Sequence, residues 1–411
     1  MNSRLLALLA VGHLTTDIYQ GSVPALLPFL KDAYRLSYTQ TATIVLVMQV
    51  ASSIVQPLFG YLADRAQRTW LMPAGVGIAA LGITMMGVVP SYGACLLLVT
   101  VGSLGVAAFH PQAYKSTHLV SADRPATGMA IFAVGGNIGH AIGPIFITSI
   151  ILAFGLRSAY LGMLPGLVVA ASLLWAIPPN MHRLIHGSTA SGETPSGQTA
   201  GDALTTAGPP IPWGSLTLLM TIVAVRSWGQ VALTTYIPLF YRDYLGEPPF
   251  VGSTVLLVYL GAGAAGTLVG GPVADRYGAR MTLAVTMLIS TPLMFAFPHL
   301  RGLPAMVVIA LTGFLIVSTF ALTIVIAQAL LPTRGGVAAG LVFGFAVGAG
   351  GLGVAMLGSV ADAWGLFVAM RVLAAVPVLA VPFVWALPAD TPGARSALEK
   401  GEACRSSGGT A

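Results

Sequence analysis

The chain has 411 residues, of which only 8% are charged and 56% are hydrophobic, and its mean hydropathy is +0.85. A soluble protein needs about 25% charged residues to cover its surface, so this composition excludes a soluble protein of one or two domains. The net charge of +6 does not indicate nucleic-acid binding, because the basic residues are distributed over short loops and form no basic face.

Twelve segments are apolar over the roughly 20 residues that a membrane-spanning helix requires. Six of them precede residue 178 and six follow residue 212. In chain order they are 5–30, 38–63, 70–89, 92–117, 126–154, 157–177, 213–241, 251–274, 281–299, 303–330, 336–361 and 366–387. The sequence therefore predicts an all-α membrane protein with twelve transmembrane helices in two pseudo-symmetric bundles of six.

The composition changes between the two sets of six. Residues 187–210 are rich in Ser, Thr, Gly and Pro, which is typical of a flexible linker. We therefore predict four regions: an N-terminal six-helix bundle, a cytoplasmic linker, a C-terminal six-helix bundle and a disordered cytoplasmic tail. Their respective boundaries are 1–178, 179–212, 213–388 and 389–411.

The first segment carries an acid near its middle. Of the thirteen acidic residues, Asp17 alone lies away from predicted loops, tails and helix ends. A carboxylate at that depth is costly unless it faces a cavity or a partner, and burial favours its neutral form, which can exchange protons. His13 and Gln20 lie one turn away on the same face. We predict a proton or substrate site there; the alternative is a structural acid hydrogen-bonded to a neighbouring helix.

The second and eighth segments are each followed by the same loop motif, at an offset of 211 residues. The positions repeated at this offset are Gly60, Asp64 and Arg65 in the first copy and Gly271, Asp275 and Arg276 in the second; a further basic residue follows each copy, Arg68 in the first and Arg280 in the second. Matching motifs at matching positions indicate a parallel internal repeat, with the binding site between the repeats. Because an aspartate beside a helix N-terminus can hold an arginine, we predict a cytoplasmic latch that gates the two halves; a turn and cap would explain one copy alone.

The fourth segment contains His110, followed directly by Pro111. Histidine titrates near neutral pH, so we predict that His110 takes part in proton coupling with Asp17. The alternative is a packing histidine bonded to a backbone carbonyl. His140 in the fifth segment is predicted to be structural.

The fifth and eleventh segments are rich in glycine. Gly139, Gly143 and Pro144 lie in the fifth, and residues 344–353 of the eleventh include five glycines. Small residues every three or four positions allow close contact between helices. We predict that both segments form a sliding seam between the halves, so that these residues take part in gating.

The seventh segment contains Arg226, with Gln230 and Thr234 on the same helical face. At the repeat offset Asp17 corresponds to position 228, so we expect Asp17 and Arg226 to face each other across a central cavity. A buried guanidinium suits a carboxylate, phosphate or phosphonate. The alternative is a fixed ion pair that holds the halves together. The predicted substrate-binding residues are His13, Asp17, Gln20, His110, Arg226, Gln230 and Thr234.

The distribution of Lys and Arg predicts the orientation. With the N-terminus inside, 12 basic residues fall at cytoplasmic positions and 6 at outer positions. This bias places both termini and the linker in the cytoplasm. Cys95 and Cys404 have a spacing that suits neither a disulfide framework nor a metal site.

These motifs resemble those of the major facilitator superfamily, whose loop pattern is a Gly, then Asp-Arg, then a basic residue; Gln67 stands where a glycine is usual. The fifth segment resembles the motif of proton-driven exporters, with Ile147 and Thr148 in place of later glycines. Within the superfamily the chain is more similar to the fosmidomycin-resistance family. The matching stretches are 13–17, 51–53, 56–57, 109–111, 135–137 and 341–353.

The resemblance implies a major facilitator fold and an antiporter that exports a small, often anionic compound against protons, which confers antibiotic resistance. It covers nearly the whole chain outside the linker and tail. Members commonly have Glu where this chain has Gln112 and Ala329, so Asp17 is the only acid left in the interior.

We therefore predict a secondary active transporter in a bacterial inner membrane. It is expected to be a monomer, to need no cofactor or metal, and to export an anionic or zwitterionic compound by alternating access. Alternatives are a metabolite uptake symporter or facilitator, a non-transporting sensor and a membrane-bound enzyme. The sequence has no nucleophile–base pair or nucleotide motif for an enzyme, no phosphate-binding loop for ATP-driven transport, and no output domain for a sensor.

Overall fold

The structure is a computed structural model that describes residues 2–66, 69–121, 124–177, 212–331 and 335–388. It contains twelve α-helices in these ranges. In chain order they are α1 Ser3–Tyr34, α2 Tyr38–Ala66, α3 Leu71–Thr84, α4 Tyr92–Ser121, α5 Pro125–Phe154, α6 Met163–Ala176, α7 Trp213–Leu239, α8 Pro249–Tyr277, α9 Ala279–Ala296, α10 Gly302–Leu330, α11 Gly335–Trp364 and α12 Leu366–Ala386. The predicted tail, and the predicted linker apart from Pro212, lie outside the described residues.

The prediction of twelve helices is confirmed, although several ends differ. Within the described residues, nine helices are long and apolar enough to cross a membrane by length and composition. The other three are α1, α2 and α3. The helix α3 has only 14 residues before a short 3-10 turn at Met85–Gly87. The helix α1 is four residues longer at its C-terminal end than predicted, because backbone hydrogen bonding continues past the apolar run until Arg35 adopts a left-handed conformation.

The two halves, α1–α6 and α7–α12, meet mainly where α2 packs on α11, α5 on α8 and α1 on α7. Gly350 and Gly353 of α11 lie against Val231 and Trp228 of α7 in the same half, whereas Gly351 and Gly358 lie against Leu46 and Thr39 of α2 in the other half. Close approach of the two backbones at these positions leaves no room for a side chain.

The glycines of α5 lie elsewhere. A Cβ atom at Gly139 would overlap the carbonyl oxygen of Leu14, and one at Gly143 would overlap that of Ile18. Both carbonyls belong to α1 of the same half. The helix α5 does contact α8 of the other half, as its predicted place in the seam requires, but Gly139 and Gly143 face α1 and allow α1 and α5 to pack backbone against backbone.

The buried apolar side chains are distributed unevenly along the bundle. We call the end at which α1, α7 and α11 terminate and α2, α8 and α12 begin the Lys31 end. The largest apolar cluster lies toward this end and joins the halves, as Leu27 of α1 and Leu239 of α7 illustrate. Two smaller clusters lie toward the opposite end, one in each half. The apolar core is thus continuous between the halves only toward the Lys31 end of the described structure.

Candidate functional site

The mid-helix acid of α1 lies between two histidines. The Nε2 atom of His13 is 3.3 Å from Oδ2 of Asp17, and the Nε2 atom of His110 is 3.3 Å from Oδ1. His13 and Asp17 are four residues apart and therefore share a face of α1, while α4 brings His110 to the other side of the carboxylate. All three side chains are largely buried, with exposed fractions of 6%, 13% and 13%.

The two imidazole rings are oriented by backbone carbonyls. The Nδ1 atom of His13 is 2.8 Å from the carbonyl oxygen of Phe132, and the Nδ1 atom of His110 is 2.9 Å from that of Val106. Because a carbonyl oxygen only accepts hydrogen bonds, each Nδ1 carries the hydrogen and each Nε2 is directed at the carboxylate. The sequence analysis gave two interpretations of His110, proton coupling with Asp17 or a bond to a backbone carbonyl. The structure contains both a contact with Asp17 and a bond to the carbonyl of Val106.

Aromatic rings and a glycine enclose this cluster. The ring of His13 stacks on that of Phe132 at a centroid distance of 4.1 Å, and Tyr114 meets Phe132 edge to face at 5.0 Å. A Cβ atom at Gly136 of α5 would overlap the imidazole of His13 and approach Oδ2 of Asp17 to 2.7 Å. The absence of a side chain at position 136 therefore allows α5 to close over the histidine and the carboxylate.

Gln20 lies one turn further along α1, is partly buried, and takes no part in these contacts. The side chains of His13, Asp17 and His110 are also close enough together to bind a metal ion, since one possible ligand atom from each lies within 4.8 Å of the others. The carbonyl bonds and charge contacts above account for the arrangement of all three side chains, and we assign no ion to it.

The predicted basic residue of α7 does not pair with Asp17. Arg226 is 3% exposed and donates from Nη1 to Oε1 of Gln230 at 2.8 Å and from Nη2 to Oγ of Ser227 at 3.1 Å. Its guanidinium also lies over the ring of Phe320 of α10, 5.0 Å from the centroid. The alternative of a fixed ion pair between Asp17 and Arg226 is therefore wrong for the described conformation, because the contacts of Asp17 come from α1 and α4 and those of Arg226 from its own half.

Thr234 was expected to join Arg226 and Gln230, but its hydroxyl donates to the carbonyl oxygen of Val231 at 2.8 Å. Its hydrogen is thus used within α7. Three residues that interact with Arg226 were not expected from the sequence, namely Ser227, Phe320 and Tyr259. No pattern distinguishes them there, since each belongs to a helix that is apolar on most sides.

The structure describes only part of the repeated loop motif. The side chains of Gly60, Asp64, Arg65 and Arg68 lie outside the described residues. In the second copy Asp275 and Arg276 are exposed, and Arg280 donates to the carbonyl oxygen of Trp385 in α12 of the same half. A Cβ atom at Gly271 would meet no other atom. The cytoplasmic latch therefore stays a prediction.

A set of polar contacts that the sequence analysis missed joins the halves at the Lys31 end. The Nζ atom of Lys31 is 3.1 Å from Oδ2 of Asp243, and Arg242 pairs with Asp32. In addition, the carboxylate of Asp362 at the end of α11 accepts the backbone N–H groups at the start of α2. Those two bonds come from Tyr38 at 2.7 Å and Thr39 at 2.9 Å. A carboxylate at a helix N-terminus satisfies free N–H groups and complements the helix dipole.

The ion pairs at this end follow the internal repeat. Lys31-Asp32 at the end of α1 and Arg242-Asp243 at the end of α7 are separated by the same offset of 211 residues as the loop motif. Each basic residue pairs with the aspartate of the other half. The recurrence of a basic residue followed by Asp at this offset was the signal by which the sequence could have revealed these contacts.

We predict that the two ion pairs hold the halves together at the Lys31 end. Lys31→Asp would bring the new carboxylate close to those of Asp32 and Asp243, and their repulsion should increase the distance between the halves at this end. Adding Asp243→Lys restores an opposite charge and should restore the parental distance. The measurement is the spin-label distance between Ser91→Cys and Arg301→Cys, two exposed positions at this end, with Cys404 replaced by Ser. A double variant that is no closer to the parent than the single variant would show that the pair does not couple the halves.

A cavity of about 340 Å³ lies among α8, α9 and α10. Its walls are almost entirely apolar and include the exposed side chains of Val269, Tyr277 and Met281. It contains neither the Asp17 cluster nor Arg226. Its position on the outer face of one half separates it from both groups of functional candidates.

Comparison with known proteins connects this architecture to characterised families. The family model described as Major Facilitator Superfamily matches residues 9–353. The chain is 30% identical to the fosmidomycin resistance protein of Escherichia coli over 381 residues, which cover 91% of this chain and 90% of that protein. It is also 30% identical to an uncharacterised transporter of the same superfamily from Bacillus subtilis, over 94% of this chain and 93% of the other.

Solved structures share the fold at low identity. A bacterial homologue of the human lysosomal transporter Spinster, in an inward-facing and occupied conformation, superposes with a TM-score of 0.75 at 16% identity, covering 94% of this chain and 96% of that one. The nucleoside transporter NupG gives a TM-score of 0.70 at 16% identity, covering 94% and 99%. These similarities confirm the predicted fold and the assignment to transporters rather than enzymes.

Proposed function

This chain belongs to the major facilitator superfamily, and from that membership we propose that it is a secondary active transporter that exports a small anionic or zwitterionic compound in exchange for protons. The observation that carries the proposal is the contact of Asp17 with both His13 and His110 in the interior of the N-terminal half. Ionisable residues at such depth usually belong to a proton or substrate pathway.

The geometry of the cluster supports proton exchange. With Nδ1 of each ring bonded to a carbonyl, a neutral imidazole directs its Nε2 lone pair at an oxygen of Asp17. Without a proton, this lone pair and the carboxylate oxygen repel each other. A proton bound between the two atoms forms a hydrogen bond and makes the contact attractive. Each of the two contacts therefore stores one proton between an imidazole and the shared carboxylate. Loss of the proton shared by His110 and Asp17 weakens a contact between α4 and α1, which links protonation to helix packing.

The closure of the Lys31 end supports alternating access. Each predicted bundle carries a basic residue at this end, Lys31 in the first and Arg242 in the second. The distribution of Lys and Arg along the sequence assigned both to the outer side of the membrane. The described conformation is then closed toward the outside, with the paired charges and the continuous apolar core at the closed end. We propose that the loop motifs around Asp64 and Asp275 close the opposite, cytoplasmic end when the Lys31 end opens, and that Gly139, Gly143 and Pro144 maintain the packing of α5 during this change.

The similarity to the fosmidomycin resistance protein makes phosphonates the first substrates to test. We place the protein in a bacterial inner membrane as a monomer, with both termini, the linker at 179–212 and the tail at 389–411 in the cytoplasm. An uptake symporter is the second candidate, because the same cluster can bind a proton that moves with the substrate.

The direction of proton movement distinguishes the two candidates. Purified protein in liposomes that contain a pH-sensitive dye should respond to external fosmidomycin or another phosphonate, added at equal pH on both sides, by a rise in internal pH. In an antiporter the entering compound drives protons out, whereas a symporter would lower internal pH. Uptake of labelled compound without any pH change would contradict proton coupling and would indicate facilitated diffusion.

A further inference from the structure

Arg226 carries a buried charge for which the described structure offers no acid. The side chain is 3% exposed and its contacts are Gln230, Ser227 and the ring of Phe320. An ionised group removed from water costs several kcal/mol unless an opposite charge or a full set of hydrogen bonds compensates. The neutral partners supply hydrogen bonds and leave the positive charge without a counter-ion in the described residues.

The hydrogen bonds around Arg226 direct further donors outward. Because a guanidinium only donates, Gln230 must turn its amide oxygen toward Arg226 and its NH2 group away, and Ser227 accepts through its oxygen and keeps its hydrogen. The Nε atom of Arg226 is buried and has no hydrogen-bond partner among the described residues. Each of these three side chains therefore keeps a donor near the charge: the Nε–H of Arg226, the NH2 group of Gln230 and the hydroxyl hydrogen of Ser227.

A tyrosine of the neighbouring helix adds another donor. Tyr259 of α8 is fully buried, its hydroxyl has no hydrogen-bond partner in the described structure, and it interacts electrostatically with Arg226. A buried tyrosine hydroxyl normally has a partner, so this one requires an explanation. Trp228 also has an unpaired Nε1 atom, but its ring lies against Gly353 of α11.

We propose that Arg226 and Tyr259 form the binding site for the oxyanion group of the transported compound, a carboxylate, phosphate or phosphonate, with Ser227 and Gln230 as supporting donors. The proposal rests on the proposed function, and it adds Tyr259 as a specificity-determining residue. An oxyanion supplies both missing elements, a negative charge for Arg226 and acceptors for its Nε–H and for the phenol. Gln230 is the member of this group that is partly exposed.

The site belongs entirely to the C-terminal half, since α7 and α8 supply its members and Phe320 of α10 lies against Arg226. The Asp17 cluster belongs to α1 and α4 of the other half. The anion and the protons therefore bind to different groups, and the anion does not compete with the carboxylate of Asp17 for its histidines.

The test uses methylphosphonate and its uncharged dimethyl ester as matched probes. Binding is measured by thermal-shift titration of the purified protein at one pH, without a gradient. The parent should bind the anion in preference to the ester. Tyr259→Phe should weaken methylphosphonate binding roughly tenfold or more, as expected for a lost hydrogen bond to a charged group. Arg226→Lys should also weaken it, because the planar donor arrangement is lost.

Tyr236→Phe is the matched control, because the hydroxyl of Tyr236 donates to the carbonyl oxygen of Val354 at 2.8 Å and lies outside the site. It should lower the melting temperature and leave the affinity for methylphosphonate unchanged, whereas Tyr259→Phe should not lower the melting temperature. Unchanged affinity in Tyr259→Phe, or equal binding of the ester and the anion by the parent, would overturn the proposal. Because binding is measured at one pH without a gradient, loss of proton coupling alone would not change this result, so failure of proton coupling and failure of this site give different results.

Discussion

Asp17→Asn should abolish transport driven by a pH gradient and leave the protein folded. The amide is nearly isosteric with the carboxylate, and its NH2 group can donate to one of the Nε2 atoms that now contact Asp17. It cannot bind or release a proton, so neither histidine can share one with it. The measurement is accumulation of labelled compound in proteoliposomes with an imposed pH gradient, compared with exchange of the compound at equal pH.

The matched control is Glu247→Gln, which neutralises an acid in the loop between α7 and α8 and should behave as the parent. His110→Gln should retain less gradient-driven transport than the parent, because one of the two proton-storing contacts is lost. Normal accumulation by Asp17→Asn on a pH gradient would assign a structural role to Asp17 and would require another group to couple transport to protons.

Gly136→Ala should reduce gradient-driven transport severely with little loss of thermal stability. The added methyl group would overlap the imidazole of His13 and press on Oδ2 of Asp17, which are the ends of movable side chains. These side chains can shift at modest cost, but the shift separates the groups that share the proton. The measurements are the melting temperature and gradient-driven accumulation of the same preparation.

Two other glycine substitutions separate this effect from general packing. Gly139→Ala meets the backbone of α1 at Leu14, which cannot move aside, and should destabilise the protein by about 1–3 kcal/mol as overpacked sites do. Gly261→Ala in α8 meets no neighbouring atom and should neither reduce gradient-driven transport nor lower the melting temperature. If Gly136→Ala transported normally, the cluster would tolerate displacement, and its geometry would not set the coupling.

The sequence was sufficient to predict the helices and the centre of the candidate proton site. An apolar run of about 20 residues identifies a span almost by itself, because lipid leaves the backbone few other conformations. Asp17 was identified because acids are rare at that depth, and His13 followed from its spacing of four residues. His110 was identified as a candidate, although only the fold shows that α4 brings it to the second carboxylate oxygen.

The directions in which the helices face could not be predicted in the same way. A membrane helix is apolar on the lipid side and apolar where it packs, so its sequence does not distinguish the two faces. The glycines of α5 were therefore assigned to the wrong neighbour, and Arg226 was expected to face Asp17. Tyr259 was missed because a single tyrosine in an apolar helix gives no signal until its hydroxyl is seen without a partner.

The reciprocal ion pairs at the Lys31 end bear on how such a chain could have arisen. Near the end of its first helix, each half carries a basic residue followed by Asp. The basic residue of each half binds the aspartate of the other half. This is the contact pattern of a two-fold symmetric interface, in which one surface binds a copy of itself. A single six-helix half with this dipeptide could therefore have closed against a second copy as a homodimer before the two were fused. In the fused chain the crossed charges oppose a displacement that would bring like charges together, so they favour one alignment of the closed halves.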